Sequence, residues 1–255
     1  MIYHYKLILQ YKGTRYLGWQ IQPEGKRSTI QGELNKALEK ISKSGKVKTL
    51  GAGRTDAGVH ALGQVVKVSM DLQIDPENLL RALNSNLAED IRITAVEISD
   101  EEFMPTVHAK SKEYQYRFTS LKNLSPFQFE LIHNVPFVLD LELMKKACEV
   151  LIGTHDFINY YCEGTPVTHY VRDIYECEIV EALENQMLFP SHYVFRIVGS
   201  GFLKQMVRLL IGAIWNVGRG KVTLEEFSAS LAPPKITHLA AVAPAHGLYM
   251  VRVNY

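Results

Sequence analysis

The sequence predicts an α+β fold of two ferredoxin-like halves. Three observations carry that prediction. Segments that alternate apolar and polar residues, the mark of strands, take turns with segments whose apolar residues recur every three or four positions, the mark of amphipathic helices. The resulting order, strand–helix–strand–strand–helix–strand, occurs in residues 3–98 and again from residue 112 onward. Finally, 255 residues, 47% of them hydrophobic and 22% charged, suffice for two globular units with cores of their own. The halves are expected to join near residues 100–110, giving domains 1–105 and 106–255.

In the first half, Tyr3, Tyr5, Leu7, Leu9 and Tyr11 fall on one side of a strand over 3–11, with His4, Lys6 and Gln10 opposite. Gly13 ends it, and a loop with Gly18 and Pro23 follows. Ser28, three residues before Gln31, has the spacing of a capping box. Ile30, Leu34, Ala37, Leu38 and Ile41 then give a helix its apolar face. After Gly45, strands are expected over 47–52 and 62–70. Asp75 before Pro76 reads as an N-cap followed by an N1 proline, with Leu79, Leu80, Ala82 and Leu83 on that helix's inner face. The β-branched run 91–98 is a further strand. The sheet should be antiparallel, with both helices on one side.

The second half repeats the order. A strand is expected over 112–120 and a helix over 141–152, closed by Gly153. A strand pair over 172–182 and 187–200 leads into a long apolar helix over 201–220. A short helix over 224–231 is stopped by Pro233 and Pro234, and a strand over 248–255 follows.

The composition excludes several classes. The chain is too apolar and too weakly charged to be mainly disordered, and no 18-residue apolar run could span a membrane. The start, MIYHYKLILQYKG, has no long apolar core or small-residue cleavage site, so no signal peptide is expected. Cys148, Cys162 and Cys177 include no C-x-x-C pair, which argues against a disulfide framework or zinc knuckle. A cytoplasmic protein with reduced thiols is the expectation.

The formal charge of +1 conceals segregation. Residues 1–67, 106–122 and 200–221 carry +8, +3 and +4, and the two stretches between them carry −7 each. The basic blocks either converge on one face able to hold a polyanion or scatter over the surface.

The most unusual stretch is GAGRTDAGVHALGQVV, residues 51–66, between two expected strands. Gly51, Gly53, Gly58 and Gly63 bracket Arg54, Thr55, Asp56 and His60. It lacks the Gly-Lys-Ser/Thr of a phosphate loop, and a strand follows it where a dinucleotide fingerprint needs a helix. Two readings remain. One is a loop presenting a catalytic carboxylate beside an arginine; the other is a hairpin connection with an Arg–Asp surface pair. His155 and Asp156 are adjacent, but no third ligand has telling spacing, so no metal site is expected.

This run closely resembles the signature of the tRNA pseudouridine synthase A (TruA-type) family. The resemblance extends to YKGTRYLGWQIQP (11–23), STIQGELNKAL (28–38), LIGTHDFINY (151–160), GFLKQMVRLLIGAIWNVGRG (201–220) and APAHGLYMVRVNY (243–255), in order along the chain. It implies two ferredoxin-like halves with a catalytic cleft between them, a homodimer, a tRNA substrate and no cofactor. It also implies isomerisation of uridine to pseudouridine, with positions 38–40 of the anticodon stem-loop as the usual target.

Residue by residue, Asp56 matches the family's catalytic aspartate. It would act either by adding to uracil C6 or by assisting departure from ribose C1′. Arg208 matches the arginine beside it and would keep it ionised; otherwise an arginine in so apolar a helix reaches along its stem to the surface. Arg54 matches the arginine that helps extrude the target nucleotide. Tyr114 matches the active-site tyrosine that would stack on the flipped base, while Tyr116 reads as core. Leu248 reads as a wall of the base pocket or as plain core. Arg15, Lys26, Arg27, Lys204, Arg219 and Lys221 are candidate phosphate contacts.

The chain also departs from the family. Where Phe-His-Ala-Arg is usual before the tyrosine strand, it has Phe103, Met104, Pro105 and Thr106. Lys204 and Gln205 replace a usual pair of histidines. These changes leave Asp56, Arg54, Tyr114 and Arg208 in place but put the substrate in question. The alternatives are another tRNA position, ribosomal RNA, or a non-catalytic RNA-binding module on the same fold.

Overall fold

The computed structural model describes residues 1–22, 28–120, 124–164, 167–182, 191–236 and 238–255. In chain order the strands are β1 (Tyr3–Tyr11), β2 (Val47–Gly51), β3 (His60–Met70), β4 (Ile91–Ser99), β5 (Ser111–Thr119), β6 (His133–Asn134), β7 (Gly153–Asp156), β8 (Val171–Ala182), β9 (His192–Gly199) and β10 (Leu248–Asn254). The α-helices are α1 (Ile30–Ile41), α2 (Pro76–Asn86), α3 (Leu141–Leu151), α4 (Met206–Gly218) and α5 (Leu224–Ala229). The chain is α+β and divides into two compact units, residues 1–110 with 249–255, and residues 111–248. Among the described residues no helix is long and apolar enough to cross a membrane.

In the first unit the strand order is β4-β1-β3, with β2 and β10 sharing the other edge of β3. β1 runs antiparallel to β3 and β4, and β2 antiparallel to residues 66–70. β10 lies parallel to the start of β3, Tyr249 opposite His60 and Met250 opposite Ala61. The sheet is therefore mixed and not antiparallel throughout. Tyr5, Leu7, Leu9 and Tyr11 are all buried, as period-two spacing requires of one face. Leu34, Ala37 and Leu38 of α1 and Leu79 and Leu83 of α2 are buried too, and the two helices touch.

Asp75 caps α2 as its position ahead of Pro76 suggests, accepting from Glu77 and Asn78 amides. The start of α1 differs from expectation. Thr29, not Ser28, is the N-cap, its hydroxyl accepting from Gly32 N at 3.2 Å. Gln31 turns inward instead of back, donating to the carbonyl and hydroxyl of Thr49 at 3.1 Å each. The buried Gln31 amide is committed to tying α1 to β2 and is not spare to close a box at the helix start.

In the second unit β5 pairs antiparallel with β9, β9 with β8 and β8 with β7, while short β6 lies parallel to β5. Met144, Ala147, Cys148 and Leu151 form the buried stripe of α3, which packs on β8 and α4. α4 is buried almost throughout. It begins five residues later than the apolar run suggests. Gly199 to Gly201 breaks the chain after β9, and Gln205 takes a left-handed conformation, φ 61°, that no helix can propagate through. Residues 187–190, the expected start of β9, lie outside the described residues.

Candidate active site

Main chain of the first unit holds the loop 52–59 at three points. Trp19 N donates to Thr55 O at 3.0 Å, Gly58 N to Tyr16 O at 3.3 Å, and Ala52 N to Val65 O at 2.8 Å. Inside the loop, Val59 N donates to Asp56 O at 3.1 Å, which closes a tight turn around Asp56. The segment 13–19 forms the seat. A side chain at Gly13 would strike the Val59 carbonyl, and one at Gly18 the Thr55 carbonyl. Gly18 also has φ +88°, a region closed to most L residues.

Side chains complete the seat from below. Tyr11 hydroxyl and Thr55 Oγ1 are 2.9 Å apart and buried, and burial pushes the Tyr11 phenol up to about 12. Fully buried Gln64 donates Nε2 to Gly53 O at 2.7 Å. Buried His60 accepts from Gly13 N at 3.1 Å and stacks on Tyr249 at 4.7 Å; it orders the loop's end. Thr106, from the segment that departs from the family pattern, donates its hydroxyl to Gly51 O at 3.1 Å. With the backbone so fixed, Arg54 is exposed and Asp56 half-buried. The role of Tyr11, Trp19 and Gln64 as a seat was not legible in their own spacing.

The other three candidates lie in the second unit. Arg208 stands in the first turn of α4. Its Nε donates to Ala243 O at 2.6 Å, and Ala243 N donates back to Arg208 O at 3.2 Å. Tyr116 hydroxyl reaches Pro244 O at 2.8 Å. The strap 243–248 is thus hooked to α4 and to β5 at consecutive residues. Gly247 lies so flat on the Tyr116 ring that a Cβ there would be 2.6 Å from it. Leu248 ends the strap, buried. Tyr114, two residues before Tyr116 on the same face of β5, meets Phe202 edge-on at 5.1 Å, in the turn leading to α4. Arg208 is therefore in the first turn of α4 and Tyr114 beside the turn that leads to it, while Leu248 ends the strap hooked to that helix. Tyr116 is wholly buried core.

Two imidazoles adjoin this group. His133 and His246 are 5.3 Å apart, and His133 also meets Trp215. Burial, with the charge of His246, pulls His133 down to about 4; burial and then Arg208 lower His246.

Other residues singled out from sequence have modest surroundings. His155 meets Ile152 O at 3.3 Å and Asp156 accepts from Ile158 N at 3.0 Å. Among the described residues no group of three or more His, Cys, Asp or Glu is placed to hold a metal ion. Arg15 is exposed near Asp90, Lys204 donates to Glu163 O at 2.7 Å, Arg219 lies 3.5 Å over the Phe137 ring, and Lys221 is exposed. Lys26 and Arg27 lie outside the described residues.

Comparison with known proteins gives a consistent answer. The family model described as tRNA pseudouridine synthase matches residues 7–103 and 147–255. A tRNA pseudouridine synthase A of an Exiguobacterium species is 39% identical over 250 residues, 98% of this chain and 97% of that protein. One from Lacticaseibacillus casei is 38% identical over 253 residues, 99% of each chain. A tRNA pseudouridine synthase A 1 of Bacillus cereus (strain ZK / E33L) is 37% identical over 98% of both.

Proposed function

The chain belongs to the tRNA pseudouridine synthase family, and on that premise we propose that it isomerises uridine to pseudouridine in tRNA with Asp56 as the catalytic carboxylate. The observation that carries this reading is the full-length likeness to tRNA pseudouridine synthases A, which includes the loop bearing Asp56. The reaction breaks the bond from ribose C1′ to uracil N1, turns the base and rejoins it through C5. It needs no net oxidation, reduction or hydrolysis, so neither metal nor organic cofactor enters the proposal.

In this reading the halves are ferredoxin-like, and Asp56 and Arg54 of one face Arg208, Tyr114 and Leu248 of the other across a cleft. Asp56 attacks C6 or assists at C1′, and both roles require the ionised form. Arg208 is the cation that keeps it so. Arg54 takes the place of the extruded nucleotide, Tyr114 stacks on the uracil, and Leu248 walls the pocket. The enzyme acts as a homodimer in the cytoplasm, on uridines 38–40 of the anticodon stem-loop.

One observation favours a second reading of the target. Thr106, standing where the family usually has arginine, bonds to the root of the Asp56 loop. A changed residue so close to the proposed chemistry suits a changed site, at another tRNA position or in ribosomal RNA.

The test is tritium release from RNA labelled at uridine C5, with tRNA and ribosomal RNA assayed in parallel. Release from tRNA should fall by at least about 10²–10⁴-fold in Asp56→Asn. Equal release from the variant would remove Asp56 from the mechanism, and release from ribosomal RNA alone would select the second reading. Absence of release from either RNA, with binding retained, would make the chain a binding module.

A further inference from the structure

We propose that Lys112 and Arg172 form a binding site for a backbone phosphate of the RNA substrate, beside Tyr114. The proposal rests on the reading above that RNA is the substrate.

Neither residue stands out in sequence, because sheet register is what unites them. Lys112 on β5 is opposite Gly199 on β9, and Gly199 is opposite Ile174 on β8. Arg172 is two residues before Ile174 and so shares its face of the sheet. Gly199 lets its neighbours close over the sheet at this point: a Cβ there would come within 2.7 Å of Asp173 O, 3.0 Å of Ile174 Cδ1 and 3.3 Å of Phe202 Cζ. Phe202 in turn meets the edge of Tyr114. Gly201, next to Phe202, would place a Cβ 3.9 Å from Arg172 Nε. Lys112, Arg172 and Tyr114 therefore surround one turn, residues 199–202.

The electrostatics of this corner favour an anion. Both cations are partly withdrawn from water, and each is shifted toward its neutral form. Burial and the charge of Arg172 hold Lys112 below its ordinary range, and burial lowers Arg172. Arg172 is held by neutral acceptors, the carbonyls of His169 and Val171 and the ring of His169, and among the described residues no carboxylate pairs with it. The adjacent carboxylates are engaged on the opposite face: Asp173 accepts from Thr154 Oγ1 at 2.6 Å, and Glu113 from Arg196 at 3.0 Å. Two like charges brought together at a half-dry surface oppose each other. A phosphodiester beside them would meet a planar guanidinium and an ammonium as donors. Its place beside Tyr114 suits a phosphate next to the flipped uridine.

The test measures tRNA binding by the full chain between about 50 and 200 mM salt, where phosphate contacts show as slope. Lys112→Gln and Arg172→Gln should each weaken binding roughly three- to tenfold and raise the KM for tRNA in parallel. Each should reduce the slope of log K against log salt by about 0.7–0.9. Lys112→Arg and Arg172→Lys should keep most of the slope. Lys145→Gln, on the exposed face of α3 beside Glu142, should leave it unchanged. Wild-type slopes in both glutamine variants, with wild-type melting curves, would overturn the site. Tritium release by the wild type separates the two failures: release with unchanged slopes sinks this site alone, and reduced slopes without release sink the enzymatic reading alone.

Discussion

The Asp56 loop and the start of α4 carry the two sets of proposed catalytic residues, and they are built in opposite ways. The loop is gripped by main chain: the carbonyls of Tyr16 and Val65 accept from its Gly58 and Ala52 amides, its Thr55 carbonyl accepts from Trp19 N, and Gly13 and Gly18 allow close approach. The α4 region is gripped by side-chain tips, Arg208 Nε on Ala243 and Tyr116 hydroxyl on Pro244. The difference teaches where tolerance lies. A backbone-held loop forbids any added atom beneath it at Gly13 and Gly18. A tip-held strap accepts changes of volume more readily but makes Arg208 serve structure and chemistry together.

The sharpest way to break this contrast is Gly18→Ala. The methyl meets the Thr55 carbonyl and the backbone is forced to hold a strained φ, so stability should fall by about 2–4 kcal/mol in urea melts, with activity lost. Gly220→Ala is the control: its φ is +66° but nothing lies within 4 Å, so about 1 kcal/mol is expected. Equal losses at the two sites would mean that close approach contributes nothing.

A smaller effect sharpens the other side. Arg208→Lys keeps the charge, yet its single nitrogen cannot both hold the Ala243 carbonyl and face substrate. Stability should drop by about 1 kcal/mol, and tritium release by a larger factor than that loss explains. A wild-type melting curve with reduced release would leave Arg208 no structural duty.

The last effect is confined to acid pH. His133 is drawn down to about 4 by burial, below its ordinary 6.5, so the unfolded chain binds its proton first. Its contribution is therefore full above pH 6.5 and is lost as pH falls toward 4. His133→Gln should flatten that part of the stability profile while leaving its slope above pH 7 unchanged. An identical acid limb in the variant would exclude His133 as a source.

Much of the element order was legible because apolar periodicity is local. What was not legible depended on partners distant in the chain. Ser28 and Gln31 have capping-box spacing, yet Gln31 is claimed by Thr49 across the fold. The apolar run 201–220 carries no sign that Gln205 turns left-handed. Alternation puts Tyr114 and Tyr116 on one face alike; it is the strap at Pro244 and Gly247 that seals Tyr116 in. The glycines around Asp56 marked the loop as special, but its seat in residues 13–19 had no pattern to announce it. Lys112 and Arg172 were invisible for the same reason: a register, not a spacing, joins them.

The parallel pairing of β10 with β3 has a consequence for how the molecule is made. Residues 249–255 complete the first unit, yet they leave the ribosome only after the whole of residues 111–248. At ordinary elongation rates that is a delay on the order of 10 s. Until then His60 lacks the ring it stacks on, and the edge of β3 beside the Asp56 loop stands open. The nascent chain thus holds its proposed catalytic loop unfinished until the second unit has been synthesised, so the site is assembled last.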